Sequence, residues 1–155
     1  MAKVEDIGPY LEPVRKTVTV RRTPAEAFEV FTARFGSWWP VKKFSLHQSE
    51  AATCVIEPGV GGAIYEIAND GARAPWGTVR VWEPGARFVM SWHPGHDAEA
   101  AQEVEVRFIP DGGGTRVELE HRDWAKLGEK ADGARENYEG GWVYVFETCF
   151  KEACS

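Results

Sequence analysis

The residue with the clearest capacity for acid–base chemistry is His121. It closes an alternating run in which Val117, Leu119 and His121 oppose Arg116, Glu118 and Glu120. The imidazole is therefore expected on whichever face carries Val117 and Leu119. From an interior it could donate, accept or act as a general base. No triad-like partner can be named for it, and a histidine hydrogen-bonded at a strand end is the plainer account. The run His93-Pro94-Gly95-His96-Asp97 offers two imidazoles and a carboxylate, which are zinc-type ligands. A proline-glycine turn usually carries exposed polar residues, and neither a fourth ligand nor a rigid frame is evident, so no metal and no cofactor are expected. Glu66 and Arg80 are further polar contributors, but alternation does not fix which face of a covered strand lies inside.

The second kind of chemistry is recognition by aromatic surface. The chain has seven Trp, eight Phe and four Tyr among 155 residues. Trp39, Tyr65, Trp76, Trp92, Trp124, Tyr138, Trp142 and Phe146 fall at strand ends, bends and one face of the last helical segment. Any one of them could be ordinary core, since aromatic side chains dominate packing. As a group they are expected to line part of a ligand cavity. Tyr and Trp matter most there, because their polar tips need partners once buried.

Other chemistries lack their motifs. There is no GxxxxGK[ST] loop, no GxGxxG after a strand, no GxSxG elbow and no HExxH. Eighteen basic against 24 acidic residues give a formal charge of −6, with the basic residues scattered, so no nucleic acid is expected as a partner. No apolar run approaches the ~20 residues of a membrane helix, and the first twenty residues lack the order of a signal peptide. Cys54, Cys149 and Cys154 form no CxxC pair and read as reduced packing residues. A cytoplasmic protein without a membrane partner is expected.

These residues need elements to position them. Residues 1–13, with Gly8, Pro9 and Pro13, show neither period and read as an N-terminal arm, leaving 14–155 as a single domain. Val14 to Arg21 alternates as a half-buried strand. Thr23-Pro24-Ala25-Glu26 is a capping box with proline at the first helical position, and Ala27, Phe28 and Phe31 share one face of the helix behind it. Gly36 and the Trp39-Pro40 step predict a second short helix or bend. Six strands follow, over 53–57, 63–68, 76–83, 87–93, 103–110 and 114–121, each separated by glycine, proline, asparagine or aspartate turns. From 132 to 153 the helical period returns, placing Tyr138, Trp142, Val145, Phe146 and Cys149 on one face. Gly140 and Gly141 inside that helix each cost ~1 kcal/mol relative to alanine, which close packing or bending should offset. The order is that of an α+β domain.

That order resembles the START-like (SRPBCC, birch-pollen-allergen-like) superfamily, in the branch related to the C-terminal domain of the heat-shock-protein ATPase activator and to polyketide cyclases. The likeness covers residues 14–153 and is carried by Thr23-Pro24-Ala25-Glu26-Ala27-Phe28, Trp38-Trp39-Pro40, Gly61-Gly62, Gly77-Thr78-Val79 before Glu83-Pro84, Ser91-Trp92, Gly114-Thr115-Arg116-Val117 and Gly140-Gly141-Trp142. What the resemblance implies is a helix-grip fold: a curved antiparallel sheet of seven strands wrapped around the long C-terminal helix, with a cavity between them. It does not imply one chemistry. The leading expectation is binding of a small hydrophobic or aromatic molecule. An enzyme of the cyclase or dehydratase type, using His121 or a cavity carboxylate, is the alternative, so catalysis is left open. An accessory protein acting on a chaperone ATPase ranks last, because only the part resembling the activators' C-terminal domain is present. The mixed-charge stretch 121–139 reads as a solvated face that could also dock a protein, and a homodimer is compatible with the family.

Overall fold

The computed structural model describes residues 10–155. Of the expected arm, residues 1–9 lie outside the described part; residues 10–13 have no regular structure, and Arg135 donates to the carbonyls of Glu12 and Pro13. Strand β1 (Val14–Val20) buries Val14, Val18 and Val20. Helix α1 (Pro24–Thr32) starts where the capping box predicts. The Glu26 amide donates to Thr23 Oγ1 at 3.2 Å and the Thr23 amide donates to Glu26 Oε1 at 3.0 Å. Its buried face sets Phe28 against Phe108 (centroids 5.3 Å apart) and Phe31 against Phe150 (5.3 Å).

A four-residue helix α2 (Phe35–Trp38) follows, and Trp39 turns extended (φ −68°, ψ 127°) ahead of Pro40. This step sends two adjacent indoles in different directions. Trp38 donates to the Val30 carbonyl and packs on Phe31 and Phe150, whereas Trp39 faces Trp76, Trp92 and Trp142.

Strands β2 (Ala51–Ile56), β3 (Ala63–Ala68), β4 (Arg73–Glu83), β5 (Arg87–Trp92), β6 (Gln102–Asp111) and β7 (Gly114–Arg122) complete one antiparallel sheet in the order β1-β7-β6-β5-β4-β3-β2. β4 begins three residues earlier than the alternation suggests, because it accommodates Pro75 at a register shift opposite Tyr65. Gly77 is required by a close approach: a Cβ there would lie 1.8 Å from the Ser91 carbonyl oxygen of β5.

A 3₁₀ stretch (Trp124–Lys130) leads into helix α3 (Ala131–Trp142), which runs on through a π-helical segment (Val143–Phe150) and a last turn (Lys151–Ala153). Trp142, Val145, Phe146 and Phe150 are buried, so the sheet curls around this helix as a half-barrel. The α+β helix-grip expectation holds. Gly140 faces open space, so close packing does not explain it. Gly141 faces Phe44, whose ring would stand 3.6 Å from an added Cβ.

Candidate functional site

A cavity of about 320 Å³ opens between the sheet and α3. Trp76 from β4, Trp92 from β5, Trp39 from the bend after α2, and Tyr138 and Trp142 from α3 form its walls. The tryptophans pack against one another with centroids 5.3–6.1 Å apart, and Trp39 touches the other three. Lys43, Phe44, Leu46 and Asn137 rim the mouth, where Phe44 is 37% and Leu46 45% exposed.

Every indole N–H in the wall is already spent on protein. Trp39 donates to the Phe44 carbonyl (2.8 Å), Trp76 to Glu66 Oε1 (2.7 Å), Trp92 to Tyr138 Oη (2.9 Å) and Trp142 to His121 Nδ1 (3.0 Å). These bonds fix the rings and turn π-faces rather than donors towards the cavity.

Glu66 organises the mouth. Its fully buried carboxylate accepts from the Leu46 amide (2.7 Å), the His47 amide (2.7 Å), the His47 ring (2.6 Å) and the Trp76 indole. Burial alone would raise this carboxyl, but the donors outweigh it and hold it below the usual carboxylate range. One side chain of β3 thereby ties the rim loop to a wall tryptophan. Glu66 shares its strand face with the buried Ile64 and Ala68, which is the signal in the alternation; nothing in the aperiodic segment 41–50 marks it as a rim.

Other residues singled out above lie elsewhere. His121 is fully buried, stacked on Trp124 at 4.1 Å, and both its nitrogens are occupied: Nδ1 accepts from Trp142 and Nε2 faces Gln102 Oε1 at 3.1 Å. This pattern specifies the neutral Nε2–H tautomer, and burial pulls the imidazole down to about 3. A general base needs a free lone pair within reach of substrate, and His121 has none. Trp124 is sealed behind it, donating to the His121 carbonyl. Tyr65 lies on the opposite face of β3 from Glu66, under the Arg73 guanidinium at 4.5 Å. Phe146 stacks on Phe150 in the core at 5.4 Å, and Val145 lines the cavity instead. Arg80 is half exposed and pairs with Glu103 on the outer face. His93 directs Nδ1 to the His96 carbonyl within its turn (3.1 Å). Burial raises the Cys54, Cys149 and Cys154 thiols, the last to about 11, away from nucleophilic thiolates.

A seven-stranded sheet gripping a helix over an aromatic cavity defines a helix-grip protein of the START-like class. Residues 21–153 match the family described as Activator of Hsp90 ATPase homolog 1-like protein, and the chain belongs to that family. Among solved structures it is similar to the anthrahydroquino-γ-pyrone synthase Txn09, complexed with SUM: identity is 33% over 93% of this chain and 97% of that one, with a TM-score of 0.63. It is also similar to CalC, a self-sacrificing resistance protein from Micromonospora echinospora, at 26% identity over 93% and 94% of the two chains and a TM-score of 0.64. The Aha1 dimer from Colwellia psychrerythraea shares the fold, at 14% identity over 93% and 96% and a TM-score of 0.60. No curated protein matches the sequence. Among the described residues, no helix is long and apolar enough to cross a membrane.

Proposed function

We propose that the protein binds a small hydrophobic, aromatic molecule in the cavity between its sheet and C-terminal helix. The observation that carries this reading is a wall of four tryptophans whose N–H groups are all turned to protein partners. Such a wall offers little to a polar solute and a large π-surface to a flat apolar one. The volume of about 320 Å³ lies at the lower end of the range for small-molecule pockets and suits a ligand of two or three fused rings. The likeness to a synthase named for an anthrahydroquino-γ-pyrone supports the same ligand class.

Thermal denaturation with a panel of two- to four-ring aromatics tests the proposal. A ligand at one hundred times its Kd should raise Tm by roughly 5–10 °C and quench tryptophan fluorescence at a ratio of one to one. Absence of both responses across the panel overturns it.

Catalysis of the cyclase type in the same cavity is a second reading, favoured by the 33% identity to that synthase. Its proton-transfer group would come from the cavity wall or from the substrate, because His121 is sealed behind Trp142 and Trp124. A homodimer is an assembly compatible with the family, and light scattering on the purified chain checks it. Action on a chaperone ranks last, because a likeness of 14% speaks only to the fold.

A further inference from the structure

We infer that Tyr138 makes the cavity selective for aromatic ligands that carry a hydrogen-bond acceptor, a carbonyl or phenolate oxygen, at the edge that meets the Tyr138 hydroxyl. This inference rests on the ligand-binding reading above and adds what that ligand must present.

The distribution of donors carries it. Each wall indole has spent its proton on protein. Ser45 Oγ, also in the lining, donates to the Val41 carbonyl and accepts from the Gln48 amide (2.9 Å). Lys43 and Asn137 stand exposed at the mouth. Tyr138 differs from all of these. Its oxygen accepts from Trp92 Nε1 at 2.9 Å, and among the described residues no acceptor takes its own proton. A phenol that receives an N–H in this way is polarised into a stronger donor.

The hydroxyl is also held in place. The Tyr138 ring meets His121 edge-on at 4.6 Å and lies 5.7 Å from Trp124 and 6.3 Å from Trp142, so it cannot swing towards bulk water without repacking all three. His121 cannot accept the proton, since Nδ1 is occupied by Trp142 and Nε2 by Gln102. Burial raises the phenol above its ordinary range, with the Trp92 bond opposing, so the group remains a neutral donor at neutral pH. A planar ligand lying along the tryptophans with an oxygen at this point would gain a directional bond, whereas a bare hydrocarbon of the same shape would leave a buried donor unpaired.

The test uses two soluble probes that share one sulfonate and differ only in the ring carbonyls, 9,10-anthraquinone-2-sulfonate and anthracene-2-sulfonate, titrated calorimetrically into the wild-type protein and Tyr138→Phe. The wild type should bind the quinone about fivefold to tenfold more tightly than the hydrocarbon. Tyr138→Phe should weaken the quinone by a similar factor and leave the anthracene probe bound at least as tightly as before, since the unpaired hydroxyl is gone, which also reports that the variant's cavity is intact. Equal affinities of the two probes for the wild type, or equal losses in the variant, overturn the role of Tyr138 while leaving an aromatic-binding cavity in place. Binding of neither probe to the wild type overturns the selectivity assigned to Tyr138, while the ligand-binding reading is decided by the thermal panel above. The wild-type comparison decides the matter even where the variant folds poorly.

Discussion

His121 shows how burial converts a candidate catalyst into a structural linchpin. Its ring is sandwiched by Trp124, closed by Tyr138 and bonded at both nitrogens. The neutral form is the one that fits, and the consequence is measurable. A folded imidazole pulled down to about 3, against 6.5 when unfolded, binds fewer protons than the unfolded chain throughout that interval. Its stabilising contribution is therefore complete above pH 6.5 and is lost as pH falls below it, with a slope approaching about 1.4 kcal/mol per pH unit. Urea denaturation between pH 7 and 5 should show this limb, and His121→Gln should flatten it. An unchanged slope in the variant would assign the limb to other groups. The position of the imidazole on the face of Val117 and Leu119 was legible from alternation; the two partners that consume its lone pair and proton come from Trp142 and Gln102, which no spacing connects to it.

At the scale of elements, the rim loop depends on β3. Residues 41–47 have neither period, yet two of their amides converge on one carboxylate that also holds Trp76. Glu66→Ala should destabilise the protein by about 2–4 kcal/mol, since it leaves several buried donors unpaired. Hydrogen exchange should localise the effect, with the Leu46 and His47 amides losing protection before the β4–β6 amides. Uniform loss across the sheet would show that Glu66 supports the whole fold rather than the rim. The strand spans were readable because turn residues bracket them and side chains alternate. The N-terminal extension of β4 was not, because Arg73-Ala74-Pro75 pairs through a bulge that only the neighbouring strand explains. The glycine pair in the last helix was visible as a cost. What Gly141 does, clearing room for Phe44 at the mouth, depends on a loop nearly a hundred residues away in the chain.

The whole molecule has two unlike faces. Inside the curl lie the aromatics; outside, a charge network ties β5, β6 and β7 together. Arg87, Arg107 and Arg122 converge on Glu105, whose side chain is 3% exposed, and Arg122 reaches on to Glu103 and Glu120. Burial would raise Glu105, but the arginine bonds prevail and hold it at about 2. A carboxyl depressed in this way stabilises the fold above its unfolded value of 4.5 and loses that contribution as pH falls towards 2. Glu105→Ala should cost about 2–3 kcal/mol at pH 7 and progressively less below pH 4, as followed by thermal melts across that range. A cost independent of pH would mean that packing, not charge, is what the side chain supplies.

The sequence by itself determined the elements, their order and the inward face of most of them, because each follows from interactions among residues close in the chain: capping, turn chemistry, and side chains that alternate or recur every third or fourth position. It also determined that Trp39, Trp76, Trp92, Tyr138 and Trp142 were aromatic residues seeking burial. Only the tertiary structure decided which of them share a wall. Tyr65, one residue before Glu66, points away from the cavity because of the pleat of β3, while Trp124 and Phe146 fill core behind it. The structure also decided where each polar hydrogen goes. That allocation arises from groups 10 to 46 residues apart meeting in a dry interior, where every buried donor must find an acceptor.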